Sequence, residues 1–102
     1  MAKLKDIIDI LQRVAPPSLA LSFDNAGLNI GEKDSEITGI TVCLDATEQV
    51  ISEAVKNGTN LIISHHPIIF SPIKNLNCDY ENYRAVTSAI KNGINIYSMH
   101  TN

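Results

Sequence analysis

Two adjacent histidines, His65 and His66, close the most apolar stretch of the chain, Asn60-Leu61-Ile62-Ile63-Ser64-His65-His66-Pro67-Ile68-Ile69-Phe70. Imidazole is the commonest protein metal ligand and the main acid/base group near neutral pH. Side chains alternate along a regular strand, so neighbouring histidines point to opposite faces of a sheet. They can meet one ion only where the strand breaks, or they can serve two ions a few ångströms apart. Pro67 favours an extended or turn conformation at His66 and ends regular pairing. Spacing alone leaves metal binding open against a solvated surface turn.

Three further residues could join that chemistry. His100 ends another apolar run, Ile94-Asn95-Ile96-Tyr97-Ser98-Met99, and could act as ligand, acid/base or substrate contact. Asp45 follows a β-branched run and precedes a helical pattern. It can cap that helix, with Glu48 three residues on as in a capping box, or orient a ligand histidine. Asp24 lies in the turn-forming run Asp24-Asn25-Ala26-Gly27 and could reach the site from the N-terminal segment. Phosphate-loop, dinucleotide-fold, HExxH and GxSxG patterns are all missing.

The elements that must position these groups follow from periodicity. Leu4, Ile7, Ile8, Leu11, Val14 and Ala15 recur at helical spacing and run into Pro16-Pro17, which stops the helix. A short strand is expected over Leu28 to Ile30 and a β-branched strand over Ile37 to Leu44. A helix with Val50, Ile51, Ala54 and Val55 inward closes at Lys56-Asn57-Gly58. The strand Leu61 to Ser64 follows. A third helix, capped by Asp79 and carrying Tyr83, Val86, Ala89 and Ile90, closes at Lys91-Asn92-Gly93, and the last strand covers Ile94 to Met99. Strand, helix, strand, helix, strand predicts an α/β fold with a mostly parallel sheet and right-handed helical crossovers. The two crossovers also align with each other: Ala54-Val55-Lys56-Asn57-Gly58-Thr59-Asn60-Leu61 matches Ala89-Ile90-Lys91-Asn92-Gly93-Ile94-Asn95-Ile96, which sets His65 opposite His100. Asp45, His65, His66 and His100 then share one rim of the sheet, the edge at which open α/β proteins bind ligands.

Bulk properties narrow the class. At 102 residues the chain fits a single α/β domain, residues 1–102. A net charge of −3 offers no field for nucleic acid, and no apolar run is long enough to span a bilayer. The N-terminus lacks the apolar core of a signal peptide. Cys43 and Cys78 form no CxxC pair, and Cys43 reads as a small core residue, so a reducing cytoplasm fits best.

Several segments together resemble a known family. Ala15-Pro16-Pro17-Ser18-Leu19-Ala20, Ser22-Phe23-Asp24-Asn25-Ala26-Gly27-Leu28-Asn29-Ile30-Gly31, Leu44-Asp45-Ala46-Thr47, Ile63-Ser64-His65-His66-Pro67 and His100-Thr101-Asn102 are similar, in this order, to the motifs of the NIF-three-like proteins, the GTP cyclohydrolase 1 type 2 homologues. Phe23 stands where that family mostly has tryptophan.

The resemblance implies an α/β fold around two divalent ions (zinc, iron or manganese), with His65 and His66 as metal ligands. It sets His100 at a position close to the site and outside the direct ligands; from their own positions, His100 is expected in a catalytic role and Asp45 and Asp24 as orienting acids. It also implies a homo-oligomer, a hexamer in the intact family, acting on a small-molecule substrate. The family's later ligands, an aspartate shortly after the HTN motif and a histidine and glutamate near the C-terminus, have no counterpart up to Asn102. The chain is therefore expected to be the N-terminal portion of a longer, metal-dependent hydrolase and inactive alone; a non-catalytic metal-binding scaffold or interaction protein is the alternative. A sheet cut at that point is expected to expose surface that the missing part would cover.

Overall fold

A computed structural model describes the chain except residues 1, 20, 22–24, 71–72, 74, 78 and 101–102. Asp24 and Cys78 therefore lie outside the described residues.

Helices α1 (Leu4–Val14), α2 (Glu48–Lys56) and α3 (Glu81–Lys91), with a 3-10 turn at Pro17–Leu19, surround strands β1 (Gly27–Ile30), β2 (Ile40–Cys43), β3 (Leu61–Ser64) and β4 (Asn95–Ser98). The four strands form one sheet in the order β1-β4-β3-β2. β2, β3 and β4 are parallel, and β1 runs antiparallel to β4. This is the mostly parallel α/β sheet with helical crossovers expected from the pattern.

Alternation along the strands builds two cores. Ile62 and Ile96 face α2 and α3, packing with Ile51, Ala54, Ala85, Val86 and Ala89. Leu61 and Tyr97 face the other way, against Leu4 and Ile8 of α1. Both surfaces of the central strands are therefore apolar, as parallel strands require. β2 is an edge strand. Ile40 and Val42 pair with Leu61 and Ile63 but remain exposed on that face, as does Leu44 just beyond.

The repeat between the crossovers appears in the hydrogen bonds. The N–H of Asn57 donates to Glu53 and that of Thr59 to Ala54; equivalently, Asn92 donates to Ser88 and Ile94 to Ala89. Gly58 and Gly93 both take positive φ, +73° and +65°, which lets each helix close and feed the next strand.

The structure corrects several expected details. Thr47, not Asp45, caps α2, because its side chain accepts the N–H of Val50. Tyr80, not Asp79, is the N-cap of α3, and its side chain makes no capping bond. The strand expected from Ile37 starts at Ile40, since the Thr38 N–H is taken by the Asn60 side chain. The last strand is likewise trimmed to Asn95–Ser98. Val14, Val55 and Ile90 are exposed rather than inward. Ile51 and Ala54 occupy the contact stripe of α2, and Val55, one residue on, is turned about 100° from Ala54.

Candidate metal centre

The parallel register brings the carboxyl ends of β2, β3 and β4 level: Cys43 pairs with Ser64, and Ser64 with Ser98. The residues that follow, Leu44-Asp45, His65-His66 and Met99-His100, emerge at the same rim. Three imidazoles converge there. Ring centroids of His65 and His66 are 4.9 Å apart, and His100 lies 5.1 Å from the first and 5.3 Å from the second. One ring nitrogen of each can be chosen so that all three lie within 4.8 Å of one another.

Two of the rings are oriented from behind. Nδ1 of His66 lies 2.7 Å from a carboxylate oxygen of Asp45, and Nδ1 of His65 lies 3.1 Å from the backbone carbonyl of Met99. If each Nδ1–H donates, each Nε2 is left with its lone pair, the tautomer a metal ligand needs. A divalent ion with borderline-soft character favours such nitrogen donors. The donor set therefore fits the metal that the sequence pattern suggests.

Asp45 is free for this role because Thr47 has taken over the cap. A cavity of about 310 Å³ adjoins His66, lined by Asp45, Thr47, Glu48, Pro67 and Ile68. Arg84 of α3 pairs with Glu48 at 3.3 Å, near this cavity. Cys43, partly buried, also lies close to the rim. Burial first, and the negative charge of Asp45 second, push its thiol pKa up, which disfavours the thiolate.

The structure thus gathers His65, His66, His100 and Asp45. The remaining acid, Asp24, is outside the described residues. The Asn25 side chain donates to the Ile69 carbonyl, and Asn29 Oδ1 accepts the Ile69 N–H. These two asparagines tie the segment after Pro67 to the start of β1. Sequence reasoning passed over them because an asparagine in a turn also has a purely local use. The buried hydroxyls of Ser64 and Ser98 were missed as well: the crossover alignment sets Ser64 opposite Met99, and only the strand register pairs it with Ser98.

Comparisons with known proteins agree with this architecture. The Duf34/NIF3 (NGG1p interacting factor 3) family matches residues 2–102. A GTP cyclohydrolase 1 type 2 homolog of Clostridium perfringens is 46% identical over 98% of this chain and 38% of its own length. The GTP cyclohydrolase 1 type 2 of Helicobacter pylori is 41% identical over 100% of the chain and 41% of its own. The crystal structure of Staphylococcus aureus protein SA1388 superposes with a TM-score of 0.94 at 40% identity, covering 98% of this chain and 28% of that one. A Bacillus cereus protein related to NIF3 gives 0.92 at 37% identity, over 98% and 28%. The chain spans about two-fifths of the length of the first two relatives. With its motifs in order, its fold matched and almost every residue covered, this chain belongs to the Duf34/NIF3 family.

Proposed function

We propose that this chain is the N-terminal, metal-holding part of a dinuclear metal-dependent hydrolase; its relatives carry the name GTP cyclohydrolase 1 type 2 homolog. The observation that carries the reading is the convergence of three imidazoles at one rim, two of them oriented through Nδ1. In this reading His65 and His66 are ligands to divalent ions, zinc, iron or manganese. Asp45 fixes the ring of His66, and His100 stands beside the ions to exchange a proton with substrate. When bound, such ions supply Lewis acidity toward water and a substrate oxygen.

Two ions that each want four or more donors need more than three imidazoles. We therefore assign turnover to the longer family members and none to the 102-residue chain alone. The same reading carries a small-molecule substrate, homo-oligomeric assembly and a cytoplasmic setting. A second reading, a metal-binding interaction protein without catalysis, draws on the family description, which names an interacting factor.

Metal content tests the centre. The purified chain is expected to retain zinc, iron or manganese, and a His65→Ala/His66→Ala variant to lose it while keeping its helical circular dichroism. Equal, negligible metal in both proteins would overturn the reading. GTP ring opening in a longer relative, abolished by the equivalent double substitution, would separate the hydrolase from the interaction protein.

A further inference from the structure

Two adjacent strand residues should face opposite sides of a sheet, yet His65 and His66 meet at one cluster. The backbone shows where the alternation is broken. Along β3 the N–H of Leu61 donates to Gly39 and that of His65 to Cys43, each bond aimed at the β2 side. A regular parallel ladder sends only alternate N–H groups to one neighbour. Here the very next N–H, of His66, also goes to that side, to the Leu44 carbonyl at 2.9 Å. The peptide between the two histidines has therefore rotated out of the strand pattern.

Two buried hydroxyls hold the carbonyls of that turned segment. Ser64 Oγ donates to the His66 carbonyl at 2.8 Å, closing a small local ring two residues wide. Ser98, its direct partner on β4, donates from Oγ to the His65 carbonyl, more loosely at 3.4 Å. Both serines are essentially fully buried. Buried hydroxyls are nearly always partnered, and these two donate to the two carbonyls of the histidine pair.

We infer that Ser64 and Ser98 are positioning residues for the metal centre: their paired hydroxyls clamp the His65 and His66 carbonyls and bring both imidazoles to one side of the strand. Ser64 is the stronger member, since its bond is shorter and spans the turn itself. The inference rests on the proposed metal reading for its purpose, but the clamp also has a metal-free signature.

The test uses the 102-residue chain and its Ser64→Ala and Ser98→Ala variants. Zinc affinity is measured by chelator competition, cobalt(II) binding by its visible spectrum, and melting temperature with chelator present. Ser64→Ala is expected to weaken zinc binding by about tenfold or more, within the range seen for residues that orient ligands, and to alter the cobalt spectrum. Ser98→Ala should cost less, and Ser64→Thr, which keeps the hydroxyl, should recover part of the loss. Zinc affinity and cobalt spectrum unchanged in Ser64→Ala would overturn the inference. So would a fall in melting temperature with unchanged affinity, which marks a merely structural serine. In metal-free protein, cross-relaxation between the ring protons of His65 and His66 should be present in wild type and lost in Ser64→Ala. Its persistence overturns the clamp. Absence of metal from wild type together with an intact, serine-dependent ring contact overturns the metal reading and leaves the clamp standing. Should Ser64→Ala fail to fold, Ser98→Ala decides by the same measurements.

Discussion

The two ends of the sheet use polar residues in opposite ways. At the amino end of β3 and β4, Asn60 and Asn95 are consumed by the backbone. Asn60 accepts the Thr38 N–H and donates to Glu36, while Asn95 accepts the Glu32 N–H and donates to the Asn60 carbonyl. The Asn95 bonds join loops to β4, and the Asn60 bonds join the residue before β3 to the segment before β2. At the carboxyl end, His65 and His66 each set Nδ1 against a fixed acceptor, a backbone carbonyl and a carboxylate, and their rings converge with that of His100. The crossovers are near copies, so both ends receive matched residues. The difference is that the asparagines bond to backbone groups of neighbouring segments, whereas the histidine rings meet one another.

That contrast can be broken most severely at the histidines. Replacing His65 and His66 together by alanine should abolish metal retention and shift the melting temperature little, because both side chains are exposed. Metal analysis paired with thermal unfolding in chelator checks this.

The reverse result is expected at the amino end. Gly31 takes φ +137°, and a Cβ there would run into the Asn95 side chain. Gly31→Ala should cost about 2–3 kcal/mol from backbone strain alone, read as a shifted urea midpoint. Its metal affinity per folded molecule should stay at the wild-type value. Loss of affinity in proportion to stability would mean that the two ends are not independent.

A subtler probe sits between a ligand and the helix cap. Asp45→Ala should weaken metal binding about tenfold while leaving α2 intact, since Thr47 provides the cap. A large stability loss instead would return Asp45 to the capping role that its position before the helix first suggested. The contrast within this pair is sharpened by Thr47→Ala, which should cost about 1 kcal/mol of stability and little affinity.

The smallest effect concerns the core under α1. Tyr97 is buried, and its hydroxyl has no partner among the described residues. Tyr97→Phe should therefore be neutral or stabilising by up to about 1 kcal/mol. Burial raises the Tyr97 pKa above its ordinary value of 10.0. Below that pH both folded and unfolded forms hold the proton and nothing changes. Above it the unfolded chain ionises first, so folded stability falls as pH rises. The advantage of the phenylalanine variant should grow above pH about 10, measured by urea unfolding across the alkaline range.

Much of the fold was legible because local patterns and global packing agree. Helices closing in Lys-Asn-Gly, β-branched runs and the proline stop after α1 gave the element order, and β-strands separated by helices implied parallel pairing. Two of the errors lie where another side chain took the expected partner. Thr38 lost its strand partner to Asn60, and Asp45 lost the cap to Thr47. Exposed Val55 and Ile90 show that periodicity marks a helix but does not fix the width of its buried stripe.

The amino-acid sequence by itself determined the family, the helix–strand alternation and the choice of His65, His66, His100 and Asp45, because these depend on residue type and short-range order. Only the tertiary structure decided that the histidine pair turns to one side, that Asp45 serves His66, and that Asn25, Asn29, Ser64 and Ser98 secure the surrounding backbone. Those outcomes depend on register between strands and on which of several competing partners a polar group reaches first, and neither is encoded in any single segment.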